Sequence, residues 1–230
     1  MQQASGHTLK AFDEDIERLR ALISQMGGLA EHAIDEAMRC LMQRDLEGAA
    51  QIVLDDKKLD TLEIEAERRA VQLIALRAPM AGDLRDVVAA LKISGVVERI
   101  GDYAKNIAKR VPLLESAGKI EPLSLLPEMA RIATAMVHDV LDAFVERDAP
   151  AAIRVCERDQ AVDDFYDSIF RTLLTHMMEN PHNIGQSAHL LFVAKNLERV
   201  GDHATNIAEM VYYAATGQHM ADRPGKSAST

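Results

Sequence analysis

An internal duplication constrains this chain more than any other feature. Residues 98–108, ERIGDYAKNIA, match residues 198–208, ERVGDHATNIA, at eight of eleven positions. Arg44 and Asp45 recur as Arg147 and Asp148, and eleven residues after each Asp stands another, Asp56 and Asp159. Four residues later come Asp60 and Asp163, and prolines follow at corresponding turns, Pro79 and Pro181. Self-similarity over this length makes each copy one supersecondary unit, and the two must bury their apolar faces within or against each other.

Each unit reads as three helices. Breakers divide the chain into stretches from about Thr8 to Arg44, from an N-cap at Asp45 to Ala78, and from Pro79 to about Val111–Pro112. The second copy runs from about Leu126 to Arg147, from a cap at Asp148 through Pro150 to Asn180, and from Ile184 to Thr216. Ile93, Val97, Ile100, Ala104 and Ile107 on the third helix, and Val193, Leu197, Val200, Ala204 and Ile207 on the sixth, recur at the spacing of one helical face. Short connections make neighbouring helices antiparallel. The expected architecture is all-α: two tandem antiparallel three-helix bundles, 8–114 and 125–216, joined by a linker at 115–124 and followed by a polar, disordered tail at 217–230. Aromatic residues are only 4% of the chain, without Trp, while Ala, Leu, Glu and Arg abound, a bias that favours helix over sheet.

Four acidic pairs have i, i+4 spacing: Asp56/Asp60, Glu98/Asp102, Asp159/Asp163 and Glu198/Asp202. Such residues are neighbours on a helix, and like charges there destabilise it. Either a facing Arg or Lys or a bound cation must offset the repulsion. Asp60 lies nineteen residues before Pro79 and Glu98 nineteen after it, so an antiparallel hairpin sets them level, about 28 Å from the turn at 1.5 Å per residue. Asp56 then stands beside Asp102. In the second copy Asp163 precedes Pro181 by eighteen and Glu198 follows it by seventeen, again nearly level. Helical rotation turns Glu98 and Asp102 away from the apolar stripe, toward an outward face near the groove with the second helix. Carboxylates without His or Cys at this spacing suit hard or borderline cations. Gly101 and Gly201, unusual in mid-helix, suggest close approach by a neighbouring helix or tight core packing. Glu31 and Asp35 on the first helix are roughly level with Asp56, but their counterparts are Thr134 and His138, so they stand outside the repeated pattern.

The formal charge of −10 argues against a nucleic-acid binder, and the basic pairs Arg68–Arg69 and Lys109–Arg110 read as solvated faces. The start of the chain lacks the apolar core of a signal peptide, and no run of uncharged apolar residues is long enough to span a bilayer. Cys40 and Cys156 read as reduced core thiols of a cytoplasmic protein. No Glu-x-x-His recurs at the repeated sites, as a ferritin-like di-metal oxidase requires, and no nucleophile triad or phosphate loop stands out, so the chain is not expected to be an enzyme.

The ordered set AFDEDIERLR at 11–20, APMAGDLR at 78–85, ERIGD at 98–102 and ERVGD at 198–202 resembles the PhoU family, from about Leu9 to Thr216. The resemblance implies two three-helix bundles and a cytoplasmic regulator of phosphate uptake. Such a regulator couples the cytoplasmic components of the phosphate-specific ABC transporter to the phosphate sensor histidine kinase. It represses the phosphate-starvation response when phosphate is plentiful. The resemblance also implies a homodimer and membrane association only through partners. Its paired acidic motifs, which in some members hold multinuclear clusters, map onto Asp56, Asp60, Glu98, Asp102, Asp159, Asp163, Glu198 and Asp202, with Fe, Mn, Mg, Ca or Zn as candidate metals. A metal-binding or purely structural helical scaffold is the alternative. Asp83, Leu84 and Arg85 follow the first turn, whereas Gln186, Ser187 and Ala188 stand near that place in the second copy. Arg85 therefore reads as a surface salt bridge confined to one copy.

Overall fold

A computed structural model describes residues 2–114 and 124–220. Most of the expected linker and the tail beyond Met220 lie outside the described residues. Among the described residues all regular structure is helical: α1 Gln2–Gln43, α2 Leu46–Arg77, α3 Gly82–Ala108, α4 Leu126–Glu146, α5 Ala149–Glu179 and α6 Ile184–Thr216. Short 3-10 turns lie at Pro112–Leu114 and Pro181–Asn183. The first helix begins before the expected Thr8; the other boundaries fall within a few residues of those read from the breakers.

The duplication extends to the caps. The Asp45 side chain accepts from the Gly48 amide at 2.9 Å, and the Asp148 side chain accepts from the Ala151 amide at the same distance. Each occupies an orphan donor of a helix start. The residue before each cap, Arg44 and Arg147, is left-handed with φ of 57° and 56°. A side chain other than glycine is uncommon in that region. Repetition of this backbone choice shows that it belongs to the unit.

Within each copy the three helices pack on one another, and α1 and α3 of the first pack against α4 and α6 of the second. The apolar faces merge into one continuous core, in which Ile93, Ile100, Ile107, Met136, Val193, Leu197 and Val200 are fully buried. Counterpart positions meet across this seam. Tyr103 on α3 and His203 on α6 occupy equivalent positions, and their rings make an edge contact with centroids 5.1 Å apart. Glu31 lies 3.3 Å from His138, and Asp35 lies beside Thr134, so each acid neighbours the counterpart of the other. The two copies are thus related by an approximate twofold axis that runs through the α1–α4 and α3–α6 contacts. Glu31 and Asp35 consequently face α4 and stand apart from the α2–α3 hairpin.

Cys40 and Cys156 are buried, and neither forms a disulfide. No helix among the described residues is long and apolar enough to cross a membrane.

Candidate functional site

The α2–α3 hairpin turns through Ala78–Ala81. Ala78 closes α2 in the left-handed region with its amide on the Ile74 carbonyl, and Ala81 opens α3 at φ 48°. From that turn the two helices run antiparallel and their acids come level. Glu98 has its carboxyl pushed above the ordinary range by burial and by the charges of Asp102, Asp60, Asp56 and Glu63 around it. All four acids of the first copy therefore share one neighbourhood, at the height that the turn arithmetic requires.

They are not equally exposed, which corrects the expectation of an outward-facing set. The Asp56 side chain is only 6% exposed, whereas that of Asp102 is 41% exposed. Asp60 is exposed and Glu98 half-buried. Asp56 faces the α2–α3 groove because α3 comes close at Gly101. A Cβ there would stand 2.4 Å from Leu59 Cδ1, so only glycine lets α2 lie this near without displacing Leu59. The second copy uses the same device with a different neighbour. A Cβ at Gly201 would lie 3.2 Å from Asp159 Oδ1 and 3.4 Å from Val162 Cγ1, and Asp159 is buried. Asp163, one turn on, is half-buried.

Repulsion is relieved by lysine, and differently in each copy. Lys105 Nζ donates to Asp56 Oδ2 at 2.5 Å and to Asp102 Oδ1 at 2.8 Å, bridging α2 and α3. The two carboxylates push its ammonium well above the usual lysine range. The counterpart of Lys105 is Thr205, whose hydroxyl donates to the Asp202 carbonyl at 2.8 Å. In that copy Lys195 donates to Glu198 Oε1 at 2.7 Å and lies over the Tyr166 ring, while its own counterpart is Gly95. The second oxygen of Glu198, Oε2, is buried without a hydrogen-bond partner. A buried carboxylate oxygen in that condition carries an unrelieved desolvation cost.

Carboxylate oxygens are the donors that a hard cation takes, and the orphaned Glu198 oxygen is such a donor in the second hairpin. No group of three or more His, Cys, Asp or Glu among the described residues converges as a metal site with the side chains in this arrangement. In the first hairpin Lys105 supplies the positive charge.

Two features escaped the sequence reading. Asp86, on the first turns of α3, is buried and pairs with Arg20 of α1 at 3.0 Å and Arg147 at the end of α4 at 3.2 Å. Burial pushes its carboxyl up, against the pull of both arginines. This pair of contacts ties the first copy to the second. Arg85, expected as a surface salt bridge, instead lies against Gly217 at the C-terminal end of α6. Its guanidinium carbon is 3.3 Å from where a Cβ would stand, and its Nε is buried without a partner. A cation is favoured there by the partial negative charge of a helix C-terminus.

The PhoU domain family matches the chain twice, over residues 23–111 and 126–211. A phosphate-specific transport system accessory protein PhoU homolog from Zymomonas mobilis is 57% identical over 225 residues, covering 97% of this chain and 95% of that protein. A homolog of the same description from Caulobacter vibrioides is 47% identical over 96% of each. The crystal structure of PhoU from Pseudomonas aeruginosa superposes with a TM-score of 0.86 at 34% identity, over 90% of this chain and all of that one. That of the phosphate transport system regulatory protein PhoU from Streptococcus pneumoniae gives 0.85 at 27% identity, over 91% of this chain and 99% of that one. With both copies, the order of their helices and the paired acids accounted for, the chain belongs to the PhoU family.

Proposed function

We propose that this chain is an accessory protein of phosphate-specific transport that acts as a cytoplasmic regulator. It couples the transporter's cytoplasmic components to the phosphate sensor histidine kinase and represses the starvation response when phosphate is plentiful. The observation that carries the reading is the likeness of nearly the whole chain, both copies included, to phosphate transport accessory proteins. Its form suits an adaptor: six helices around one core, and no enzymatic motif among the features that recur. Deleting the gene is expected to raise alkaline phosphatase in phosphate-rich medium, and purified protein to retain transporter and kinase cytoplasmic domains in a pull-down. An unchanged phosphatase level would refute the repression, and an empty pull-down the coupling. A homodimer, again in keeping with the family, is tested by the mass of the purified protein in solution.

We further propose that Asp56, Asp60, Glu98 and Asp102 in one hairpin, and Asp159, Asp163, Glu198 and Asp202 in the other, hold a divalent or trivalent cation. A bound cation would add positive charge to that which Lys105 brings to the first hairpin and Lys195 to the second. The chain's own part is to bring the acids level, with Gly101 and Gly201 admitting α2 and α5 closely enough. Metal analysis of protein purified without chelators tests this. Stoichiometric metal that is lost in Asp102→Ala with Asp202→Ala is the expected result. For the first hairpin the Lys105 bridge favours a second reading, a scaffold neutralised by its own lysine, and absence of metal from the wild type would establish it.

A further inference from the structure

The face where α3 and α6 run side by side carries exposed arginines that form no ion pair with a described residue, although the charges of Asp102 and Asp202 also reach its rings. Arg99 and Arg199 are exposed, and neither forms an ion pair with a described residue. Both act on the same ring pair, since the charges of Arg99 and Arg199 together bear on Tyr103 and on His203. The Arg199 guanidinium lies 6.0 Å from the Tyr103 ring centre. Further along the seam Arg110 lies 4.6 Å over the ring of Phe192, itself 53% exposed, and Arg110 has no ion pair among the described residues either. Two equivalent arginines therefore bear on one aromatic pair in a chain of net charge −10, with Asp102 and Asp202 as the acids nearest the same rings.

His203 shows how the seam is wired. Its Nδ1 lies 2.9 Å from the Arg199 carbonyl oxygen, which can only accept, so Nδ1 carries the proton. Nε2 is then the acceptor for the Tyr103 hydroxyl at 3.4 Å. Both rings are thus held by each other, which leaves the guanidinium groups as the donors available to an incoming ligand.

We propose that this seam is a docking surface for an acidic amphipathic helix of a protein partner. Carboxylates on one side of such a helix would meet Arg99, Arg199 and Arg110, and apolar side chains would cover Phe192 and the exposed edge of Tyr103. Charge complementarity chooses the occupant, and geometry narrows it. Asp102 on α3 and Asp202 on α6 are next in sequence to Tyr103 and His203, and the charges of both reach the Tyr103 ring, so an acid borders the seam on each helix. An extended polyanion or an anionic bilayer would press on those acids, whereas a single helix about 10 Å wide needs only the strip between them. The inference rests on the adaptor reading for its biological partner but not for its test.

Two measurements separate them. A fluorescent helical peptide with Glu on one face and Leu on the other is titrated with wild type and with Arg99→Glu/Arg199→Glu, whose fold is checked by circular dichroism and thermal melting. The expected result is binding that weakens tenfold or more in the variant, weakens with salt, and is absent for the same peptide with Gln in place of Glu. A peptide with Lys in place of Glu should bind the variant in preference to wild type. Equal binding of the acidic peptide to both proteins overturns the proposal. So does an equal arginine dependence with anionic phospholipid vesicles or duplex DNA, or a change in association state in the variant, which would make the occupant a second copy. Purified transporter is then titrated with the same two proteins. Failure of wild type to bind it counts against the adaptor reading alone. Equal binding of both proteins shows that the transporter docks elsewhere and overturns the seam as its site.

Discussion

Replacing Lys105 by Met keeps the side-chain stem and removes the charge that holds Asp56 to Asp102. Breaking a buried ion pair costs about 3–5 kcal/mol because a charge is left uncompensated. Here the Asp56 side chain is 6% exposed but Lys105 is 24% and Asp102 41% exposed, so water takes up part of the loss. The expected cost is about 2–3 kcal/mol in the presence of a chelator. For a chain of this size each kcal/mol moves the melting temperature by about 2–4 °C, giving a fall of about 4–12 °C. If a cation can stand in for the ammonium, the loss is recovered by ligand linkage, about 2.7 kcal/mol at a hundredfold excess over Kd. Thermal and urea denaturation of both proteins, with chelator and then with graded Mn, Fe or Mg, reads both effects. A chelated variant within about 0.5 kcal/mol of wild type would refute the bridge as a source of stability. A variant that falls as expected but gains nothing from any cation would remove the first hairpin as a cation site.

The second hairpin, without a counterpart to Lys105, should fill first: Asp202→Ala is expected to lower bound metal at limiting cation more than Asp102→Ala, measured by elemental analysis. Glu98→Gln should gain stability over wild type as pH rises from about 4 to about 8 in chelator, read by urea midpoints. The sign follows from its raised carboxyl: between the unfolded and folded values the native state binds more protons, so wild type loses stability with rising pH and the Gln variant does not. Gly28→Ala, on an exposed turn of α1 with nothing within 4 Å, should stabilise by about 1 kcal/mol. Gly101→Ala, by contrast, should cost about 1–2 kcal/mol because Leu59 must move, with both read as shifts in melting temperature.

What could be read without coordinates was whatever the chain states locally or by counting from a turn. Asp45 and Asp148 announce the caps, and equal distances from Pro79 set Asp60 and Glu98 level. Gly101 signals close approach by its lack of a side chain. Contacts between distant segments carry no such mark. Lys105 follows Asp102 by three residues, yet whether a long flexible side chain turns toward α2 depends on the helix packed beside it. Asp86 meets Arg20 and Arg147 across 66 and 61 residues of sequence, and an apolar stripe says that a helix buries a face without saying against which helix. Arg44 and Arg147 adopt left-handed backbone without a glycine to advertise it. Exposure was misjudged for the same reason: rotation about one axis sets Glu98 and Asp102 relative to their own helix, but burial of Asp56 is decided by how α2 rolls against α3.

Duplication imposes a further rule, which depends on distance from the axis relating the copies. Away from the axis a residue meets other residues of its own unit, so the acid pairs could be retained while their neutralisers diverged, Lys105 against Thr205 and Gly95 against Lys195. At the axis a residue meets its own counterpart, and an unchanged charge meets itself. An acid at all four of 31, 35, 134 and 138 would have crowded carboxylates into the α1–α4 contact; Thr134 and His138 instead remove two of those charges, and His138 lies 3.3 Å from Glu31. Tyr103 and His203 likewise differ and form a donor–acceptor pair. Arg99 and Arg199 are identical and exposed, and their charges bear on the same rings, so among the described residues these two leave like charges unpaired on the outer side of the α3–α6 seam. A repulsion that the other axial positions resolve internally can there be resolved from outside, by a ligand that brings the missing negative charge.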